Sequence, residues 1–272
     1  MKLELVRHLW GAGEPSAASF IQFSDFGYSA VETGVPAAED LMRFKQLVKE
    51  RNFGVIAMVF TAGSSVADHV RSLEIEVERA QQLAPRFVNA HSGRDSWSPA
   101  EAKHYFAEAL EIERRSGLTI AHETHRGRVL FNPWITRDLL LSFPELKLTC
   151  DYSHWVCVAE RLLDAETDIL ELCAQRAHHI HARVGHEQGP QVADPRAPEY
   201  QRHLLAHERY WDMIWASQET RGVSVSTLTP EFGPPPYMPT LPFSNVPVTD
   251  LKTICDWQAD RQRTRFSERI QP

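Results

Sequence analysis

Short apolar runs alternate with longer amphipathic stretches from one end of the chain to the other. The apolar runs predict eight strands, at residues 3–8, 28–33, 54–60, 86–91, 118–123, 146–151, 178–184 and 223–231. Their starting positions lie 25 to 45 residues apart, which is the length that a strand, a helix and two turns require. The pattern therefore predicts eight successive β/α units.

The stretches between these runs carry apolar residues at helical spacing and predict helices at 36–51, 64–83, 133–143 and 164–176. Another helix is predicted from Pro99 to about Arg115, because Ser98 and Glu101 form a capping box around a proline at the first helical position. Gly117 is expected to end this helix as a left-handed cap. A last helix, at 249–268, would cover the outside of the sheet.

Eight β/α units without a break in composition predict one closed (β/α)8 TIM barrel over residues 1–272. A doubly wound open sheet is the alternative, and it would need a phosphate-binding glycine loop after the first strand. Gly11 and Gly13 stand there, but Ser16 occupies the place of the third glycine, so we favour the barrel. The longest insertion, at 185–209, is predicted to form an active-site loop over the barrel mouth.

Composition narrows the class of protein. The 272 residues are 43% hydrophobic and 24% charged, which argues against disorder. A net charge of −7 without a basic run argues against nucleic acid or an anionic membrane as partner. We expect a cytoplasmic protein, because a long apolar segment, a signal-peptide core and a CxxC pair are all missing. The 13 histidines direct attention to metal or proton chemistry.

Acidic and imidazole side chains end four consecutive predicted strands. Glu123, Asp151, His181 and Glu231 lie at the carboxyl ends of strands five to eight, where barrel enzymes place their chemistry. A single carboxylate at such a position often caps a helix, but three clustered carboxylates repel one another unless a cation lies between them. Three carboxylates and one imidazole suit Mn²⁺, Mg²⁺ or Co²⁺, with Zn²⁺ and Fe²⁺ as alternatives. We therefore predict one divalent cation, Mn²⁺ first, with positions left for substrate oxygens.

These residues resemble the signature of a known group. The order Glu, Asp-x-x-His, His, Glu, here Glu123, Asp151 to His154, His181 and Glu231, is similar to that of the xylose-isomerase-like barrel superfamily. That group contains sugar isomerases, ketose 3-epimerases, inosose dehydratase, dehydroshikimate dehydratase and metal-dependent apurinic endonucleases. The resemblance covers nearly the whole chain and implies the same four metal ligands. It also implies that His154 contacts the substrate and that the protein forms a homodimer.

The resemblance implies a divalent-metal-dependent sugar isomerase or epimerase. Both reactions remove a proton next to a carbonyl through an enediolate that the metal stabilises, and Glu123 and Glu231 are predicted to be base and acid as well as ligands. A lyase or dehydratase acting on a keto-sugar or cyclitol would use the same groups and is the main alternative. An apurinic endonuclease is less favoured, because its Asp-x-His pair after strand seven is missing. A non-catalytic sugar-binding barrel is a further alternative.

One position departs from the epimerase pattern. Those enzymes have an arginine six residues after the strand-seven histidine, where this chain has Glu187, which is therefore expected at the substrate. Arg183 is predicted to replace that arginine, because strand alternation puts it on the same side as His181.

Three further residues are candidate contacts of a small sugar or polyol substrate. His8 and Trp10 follow the first strand, and His91 ends the fourth. Histidines at such positions are often packed or hydrogen-bonded within a loop. The competing interpretation is that they bind sugar hydroxyls while Trp10 stacks on the apolar sugar face.

Overall fold

Eight parallel strands close into one barrel in the order of the chain. The computed structural model describes residues 1–270, so Gln271 and Pro272 of the predicted domain lie outside it. The strands are β1 (Lys2–His8), β2 (Tyr28–Gly34), β3 (Gly54–Phe60), β4 (Phe87–His91), β5 (Ile120–Glu123), β6 (Lys147–Cys150), β7 (Ala177–His181) and β8 (Val225–Thr229). Because β1 pairs with both β2 and β8, the predicted (β/α)8 barrel is confirmed and the open sheet is wrong.

Helices follow the strands and cover the outside of the barrel. They are α1 (Ala17–Phe26), α2 (Ala38–Glu50), α3 (Val66–Gln81), α4 (Pro99–Ser116), α5 (Pro133–Ser142), α6 (Tyr152–Ala159), α7 (Thr167–Ala174), α8 (Gln201–Thr220) and α9 (Leu251–Ile270). The sequence pattern misses α1 and α6, which are short, and α8, which buries His203, His207 and Glu208 among its apolar residues. Within residues 1–270, none of the helices is both long and apolar enough to cross a membrane.

Local hydrogen bonds decide where helices begin and end. The Ser98 hydroxyl accepts from the Glu101 backbone and the Glu101 carboxylate accepts in return, so the predicted capping box of α4 is confirmed. Gly117 ends α4 in the left-handed region, at φ 70°. Ser16 and Ser19 form a second capping box at the start of α1. The glycine-containing segment after β1 therefore leads into a capped helix.

Strand alternation divides the barrel interior into an apolar layer and a polar layer. One buried apolar residue from each of the first five strands joins a separate core cluster: Val6, Ala30, Ile56, Phe87 and Ala121. Two residues further along each strand, on the same side of the sheet, stand His8, Glu32, Met58, Asn89 and Glu123. The period of the strands thus places a mostly polar layer above an apolar floor, at the end where barrel sites form.

The predicted active-site loop at 185–209 is too long. The segment is irregular only as far as a 3₁₀ turn at Pro198–Tyr200, and α8 begins at Gln201. Gly185, at the start of the loop, lies against the first turn of α6, because a Cβ atom there would stand 2.6 Å from the Ser153 carbonyl oxygen. The segment after β7 is therefore packed directly against the segment after β6 at this point.

The last helix is bound to the barrel by a buried carboxylate of α8. Glu208 accepts from Arg261 Nε at 2.6 Å, from Arg261 Nη2 at 2.9 Å and from Gln262 Nε2 at 2.9 Å. Arg265 Nη2 donates to Asp212 at 2.6 Å one turn further along α8. The predicted helix at 249–268 is therefore a fixed part of the domain.

Candidate active site

The structure brings the four predicted metal ligands together at the carboxyl ends of β5 to β8. Glu123 and His181 are the last residues of β5 and β7, Asp151 directly follows β6, and Glu231 lies two residues after β8. All four side chains are buried. One candidate ligand atom of each lies within 4.8 Å of those of the other three. Side chains from four strands therefore converge on one small region.

Each of these four residues has a buried polar atom without a hydrogen-bond partner. The atoms are Glu123 Oε1, Asp151 Oδ2, His181 Nδ1 and Glu231 Oε2. His181 Nδ1 and Glu231 Oε2 lie 2.6 Å apart. Buried polar atoms are almost always paired. Three carboxylates and one imidazole that converge in this way, each with a polar atom left without a partner, fit a divalent cation.

Asp151 serves as a helix cap and as a candidate ligand at once. Its Oδ1 accepts from the Ser153 backbone N–H at 3.0 Å and from the Ser153 hydroxyl at 2.5 Å, which caps α6. Its backbone N–H and carbonyl are both bonded to the Thr124 hydroxyl, at 2.8 and 2.9 Å. The second oxygen, Oδ2, is thereby held in place and left free to bind.

Burial and mutual charge shift the titration of the four residues in opposite directions. Burial, reinforced by the Glu231 and Glu123 carboxylates, raises the pKa of Asp151 to about 7 against the opposing charge of Arg183. Burial alone would raise the pKa of Glu123, but the charges of His91 and His181 lower it to about 2. Burial disfavours the imidazolium of His181, but the surrounding carboxylates raise its pKa well above the usual value. The site thus holds more negative than positive groups.

Arg183 is buried in the site, on the side that alternation from His181 predicts, although β7 ends at His181. Its Nη2 lies 2.5 Å from Glu231 Oε1, and its Nε donates to the Glu231 backbone carbonyl at 3.0 Å. Its Nε also lies 3.6 Å from Asp151 Oδ2. The guanidinium therefore counters the charge of two candidate ligands.

Two buried residues beside the ligands are missed by the sequence analysis. Glu32 on β2 accepts from His181 Nε2 at 3.0 Å, and Asn89 on β4 donates to Glu123 Oε2 at 2.8 Å. A signal for both is present in the sequence, because each is a polar residue within an apolar strand. Neither residue stands at the end of its strand, so a search of strand ends does not find them.

A cavity of about 440 Å³ opens beside these groups. The predicted positions His8, Trp10 and His91 all line it, together with Phe60 and Tyr237. His91 stacks on Phe60 with ring centroids 4.2 Å apart, and Trp10 meets Tyr237 edge-on at 5.1 Å. Tyr237 comes from the irregular segment after β8, and no sequence pattern identifies it. The cavity therefore combines imidazole and aromatic surfaces.

Three buried imidazoles are neutral at pH 7: His8 and His125, which line the cavity, and His154, which does not. Burial lowers the pKa of His8, His125 and His154, that of His125 to about 3. The Trp10 backbone N–H donates to His8 Nδ1 at 2.8 Å, which leaves the His8 proton on Nε2, 3.8 Å from Glu231 Oε1. A neutral imidazole offers one donor and one acceptor, a combination that suits hydroxyl groups.

Two predicted substrate contacts are not among the residues that line this cavity. His154 is completely buried, with Nε2 3.3 Å from Arg183 Nη1 and 3.6 Å from Asp151 Oδ2. Glu187 pairs instead with α8, at 2.5 Å from Arg202 Nη2 and 2.8 Å from His203 Nε2. The expectation that Glu187 takes the place of the family's arginine at the substrate is therefore not supported, because its carboxylate is engaged by the following helix.

Comparisons with known proteins agree with this architecture. The protein of Mycobacterium smegmatis described as a xylose isomerase-like TIM barrel protein in complex with magnesium has a TM-score of 0.65 at 9% identity, over 98% of each chain. The 3-keto-D-glucoside 4-epimerase YcjR of E. coli gives 0.62 at 10% identity, over 97% of this chain and 100% of that one. The probable 3-DHS dehydratase AsbF of Bacillus anthracis gives 0.62 at 14%, over 95% and 98%. At these identities the likeness concerns the fold alone.

Sequence comparison gives two further results. No curated protein matches the chain. A family model described as "Xylose isomerase-like TIM barrel" matches residues 20–233. The match spans all four candidate ligands and runs from α1 to just past β8.

Proposed function

The chain belongs to the xylose isomerase-like TIM barrel family, and from this premise we propose that it is a divalent-metal-dependent isomerase or epimerase of a small sugar or polyol derivative. The reaction removes a proton next to a carbonyl group. One observation carries the proposal: Glu123, Asp151, His181 and Glu231 are buried with one candidate ligand atom of each within 4.8 Å of the others, and each also has a buried polar atom without a partner. Leaving four such atoms unbound would be costly in a folded protein.

The donor set supports a hard divalent cation. Carboxylate oxygens favour Mn²⁺ and Mg²⁺, and one imidazole is compatible with Mn²⁺, Co²⁺ and Zn²⁺. We expect Mn²⁺ first, with Mg²⁺ next because a protein of the same fold is described in complex with magnesium. When bound, the cation supplies positive charge beside the substrate oxygens on which negative charge develops.

Glu123 and Glu231 are proposed to move the proton. Neighbouring cationic side chains hold the pKa of both carboxyls below the usual value despite burial, so both are ionised at neutral pH. β5 and β8 stand three strands apart around the barrel, so the two carboxylates reach a bound substrate from different sides. That arrangement suits removal of a proton by one carboxylate and its return by the other.

The cavity wall supports an uncharged substrate. His8 offers a neutral imidazole, Trp10 and Tyr237 offer aromatic faces, and the guanidinium of Arg183 is engaged by Glu231. Polar groups that alternate with aromatic faces match the hydroxyls and apolar faces of a sugar ring. We therefore propose free ketoses, keto-sugars and inososes as substrates in preference to phosphorylated sugars.

Proton exchange in D₂O tests the proposal directly. The purified protein, stripped of metal and then supplied with Mn²⁺, is incubated with ketoses, keto-sugars and inososes, and deuterium incorporation is followed by NMR. We expect deuterium at one carbon next to the carbonyl of one substrate class, together with an isomerised or epimerised product. Exchange must disappear in the Glu123→Gln protein.

Other outcomes of this experiment separate the alternatives. Loss of water from the substrate would identify a lyase that uses the same carboxylates. Absence of exchange over the whole panel, with Mn²⁺ demonstrably bound, would refute proton abstraction from these sugars. Absence of cation binding would refute the metal-dependent function itself.

A further inference from the structure

Glu32 is a buried carboxylate that none of the four candidate ligand roles explains. It lies on β2, beside the ligands, and is completely buried. Its Oε1 accepts from Asn89 Nδ2 at 2.9 Å, and its Oε2 accepts from the Thr229 hydroxyl at 2.7 Å. Both oxygens also lie 3.0 Å from His181 Nε2. The carboxylate is thus fully engaged by β4, β7 and β8.

These contacts decide which nitrogen of His181 carries a proton. An ionised carboxylate accepts hydrogen bonds and cannot donate them, so Nε2 of His181 must carry the proton that faces Glu32. The other nitrogen, Nδ1, faces Glu231 and has no hydrogen-bond partner. Glu32 therefore holds the ring with Nε2 protonated and Nδ1 turned toward Glu231, so that Nδ1 offers a lone pair once a binding cation displaces its proton.

The same carboxylate is linked to Glu123 through one amide group. Asn89 Nδ2 donates to Glu32 Oε1 at 2.9 Å and to Glu123 Oε2 at 2.8 Å. With Oε2 engaged, Glu123 is left with Oε1 as its unpartnered oxygen. Hydrogen bonds thus connect His181 to Glu32, Glu32 to Asn89, and Asn89 to Glu123. This network orients two of the four candidate ligands.

A purely structural role accounts poorly for this arrangement. A buried charge surrounded by polar partners usually stabilises a fold no better than apolar residues of the same shape. Two residues earlier on β2, on the same side of the sheet, stands Ala30, which packs with other apolar residues at the floor of the barrel. The polar network begins only at the level of the candidate ligands, where orientation matters.

We propose that Glu32 is a positioning residue that fixes His181 with Nε2 protonated and Nδ1 directed at the cation. The inference rests on the metal-dependent function proposed above, and it adds a residue that does not itself bind the metal. Its negative charge also increases the basicity of the imidazole. Partners of this kind commonly change metal affinity by about 10- to 100-fold when they are removed.

The test compares wild type with Glu32→Gln, which keeps the shape of the side chain and removes its charge. Zinc affinity is measured by chelator competition, and the His181 ring is observed by ¹⁵N NMR in the zinc-loaded, full-length proteins. We expect Nε2 to be protonated in wild type, and in Glu32→Gln we expect its ¹⁵N resonance to shift, because the charged acceptor is gone, with about 10- to 100-fold weaker zinc binding. Unfolding of the metal-free proteins is followed in parallel.

Thr229→Val is the matched control, because it removes the hydroxyl contacts to Glu32 and His179 and leaves the contact between Glu32 and the His181 ring in place. We expect it to retain the Nε2 resonance of wild type and to lose much less affinity. If Glu32→Gln does not fold, Glu32→Asp tests the same point, because the shorter side chain withdraws the carboxylate from the ring.

The outcomes separate this inference from the proposed function. Wild type that binds zinc, with unchanged affinity and ring state in Glu32→Gln, would overturn the role of Glu32 and leave the function intact. An equal loss in Thr229→Val would also overturn it, because the effect would then belong to the whole network. Wild type that binds neither zinc nor Mn²⁺ would instead reject the function.

Discussion

Arg183 and Glu231 form a buried ion pair at the edge of the candidate site. Arg183 Nη2 lies 2.5 Å from Glu231 Oε1, and Arg183 Nε donates to the backbone carbonyl of the same glutamate at 3.0 Å. The pair fixes one carboxylate oxygen and leaves Glu231 Oε2 without a partner. The guanidinium thus orients a candidate ligand and offsets part of the negative charge that a cation would otherwise balance alone.

If the proposed cation binds, replacement of this arginine should make the stability of the protein depend more strongly on it. Arg183→Gln leaves Glu231 and Asp151 without their guanidinium, and we expect the metal-free protein to lose about 3 kcal/mol of unfolding free energy. Added Mn²⁺ should raise the melting temperature more in this variant than in wild type, because more negative charge is left to neutralise. Calorimetry with and without Mn²⁺ measures both effects.

Arg126→Gln is the control for that experiment, because both guanidinium groups stack on Tyr237, at 5.1 Å for Arg126 and 4.9 Å for Arg183. We expect its metal-induced shift to equal that of wild type. A smaller shift in Arg183→Gln than in wild type would show that the arginine supports cation binding through geometry rather than opposing it through charge.

The two glutamates should be needed for turnover beyond their part in holding the cation. We expect Glu123→Gln and Glu231→Gln, each at saturating Mn²⁺, to exchange the substrate proton at least about 100-fold more slowly, because an amide cannot accept it. Deuterium incorporation under single-turnover conditions is the measurement. Glu78→Gln, an exposed position of α3, serves as control. Near-normal exchange in both site variants at full cation occupancy would contradict the proposal.

Cation binding should strengthen as the pH rises through neutrality. Asp151 has its pKa raised to about 7, mainly by burial, and a carboxyl group must lose its proton to bind a metal. Affinity should therefore increase between about pH 6 and pH 8, with release of protons. Titration calorimetry in buffers of different ionisation enthalpy measures the protons released. Affinity that stays constant over this range would be inconsistent with the raised pKa.

The same carboxyl should affect the stability of the metal-free protein with the opposite sign. Folded Asp151 keeps its proton up to about pH 7, whereas the unfolded chain releases it near 3.8. The stability that this proton contributes is present below pH 3.8 and is lost as the pH rises through 7. The asparagine of Asp151→Asn cannot ionise. Between pH 3.8 and pH 7 the unfolding free energy of wild type should therefore fall relative to that of this variant. Urea unfolding at several pH values gives the difference, and parallel curves would rule the effect out.

The last helix should depend on one buried carboxylate. Glu208 is 2% exposed and accepts three hydrogen bonds from Arg261 and Gln262. Glu208→Ala leaves the buried Gln262 amide and the partly exposed Arg261 guanidinium without their acceptor, and we expect it to lower the unfolding free energy by about 2 kcal/mol. Glu268→Ala, at an exposed position of the same helix, should change it by less than about 0.5 kcal/mol. Chemical denaturation measures both free energies. Equal effects of the two substitutions would contradict a special role of the Glu208 carboxylate.

Much of the fold could be predicted because its signals are local. The strand predicted at 54–60 coincides with Gly54–Phe60, and the capping box at Ser98 marks the start of α4. The strand predicted at 178–184 ends earlier, at His181, because pairing with β8 stops there. Of the three missed helices, α1 and α6 are short, and the apolar pattern of α8 is interrupted by buried polar residues, so packing contributes to their helical state.

By itself, the sequence determined the barrel and the set of converging carboxylates. Both follow from period and order along the chain, because a strand's carboxyl end faces the same mouth in every β/α unit. Only the tertiary structure decided that Glu32 supports His181 from 149 residues away, that Arg183 pairs with Glu231, and that Glu187 turns to α8 instead of the cavity. Such partners are chosen by the closure of the barrel and by competition among distant side chains, which no local pattern records.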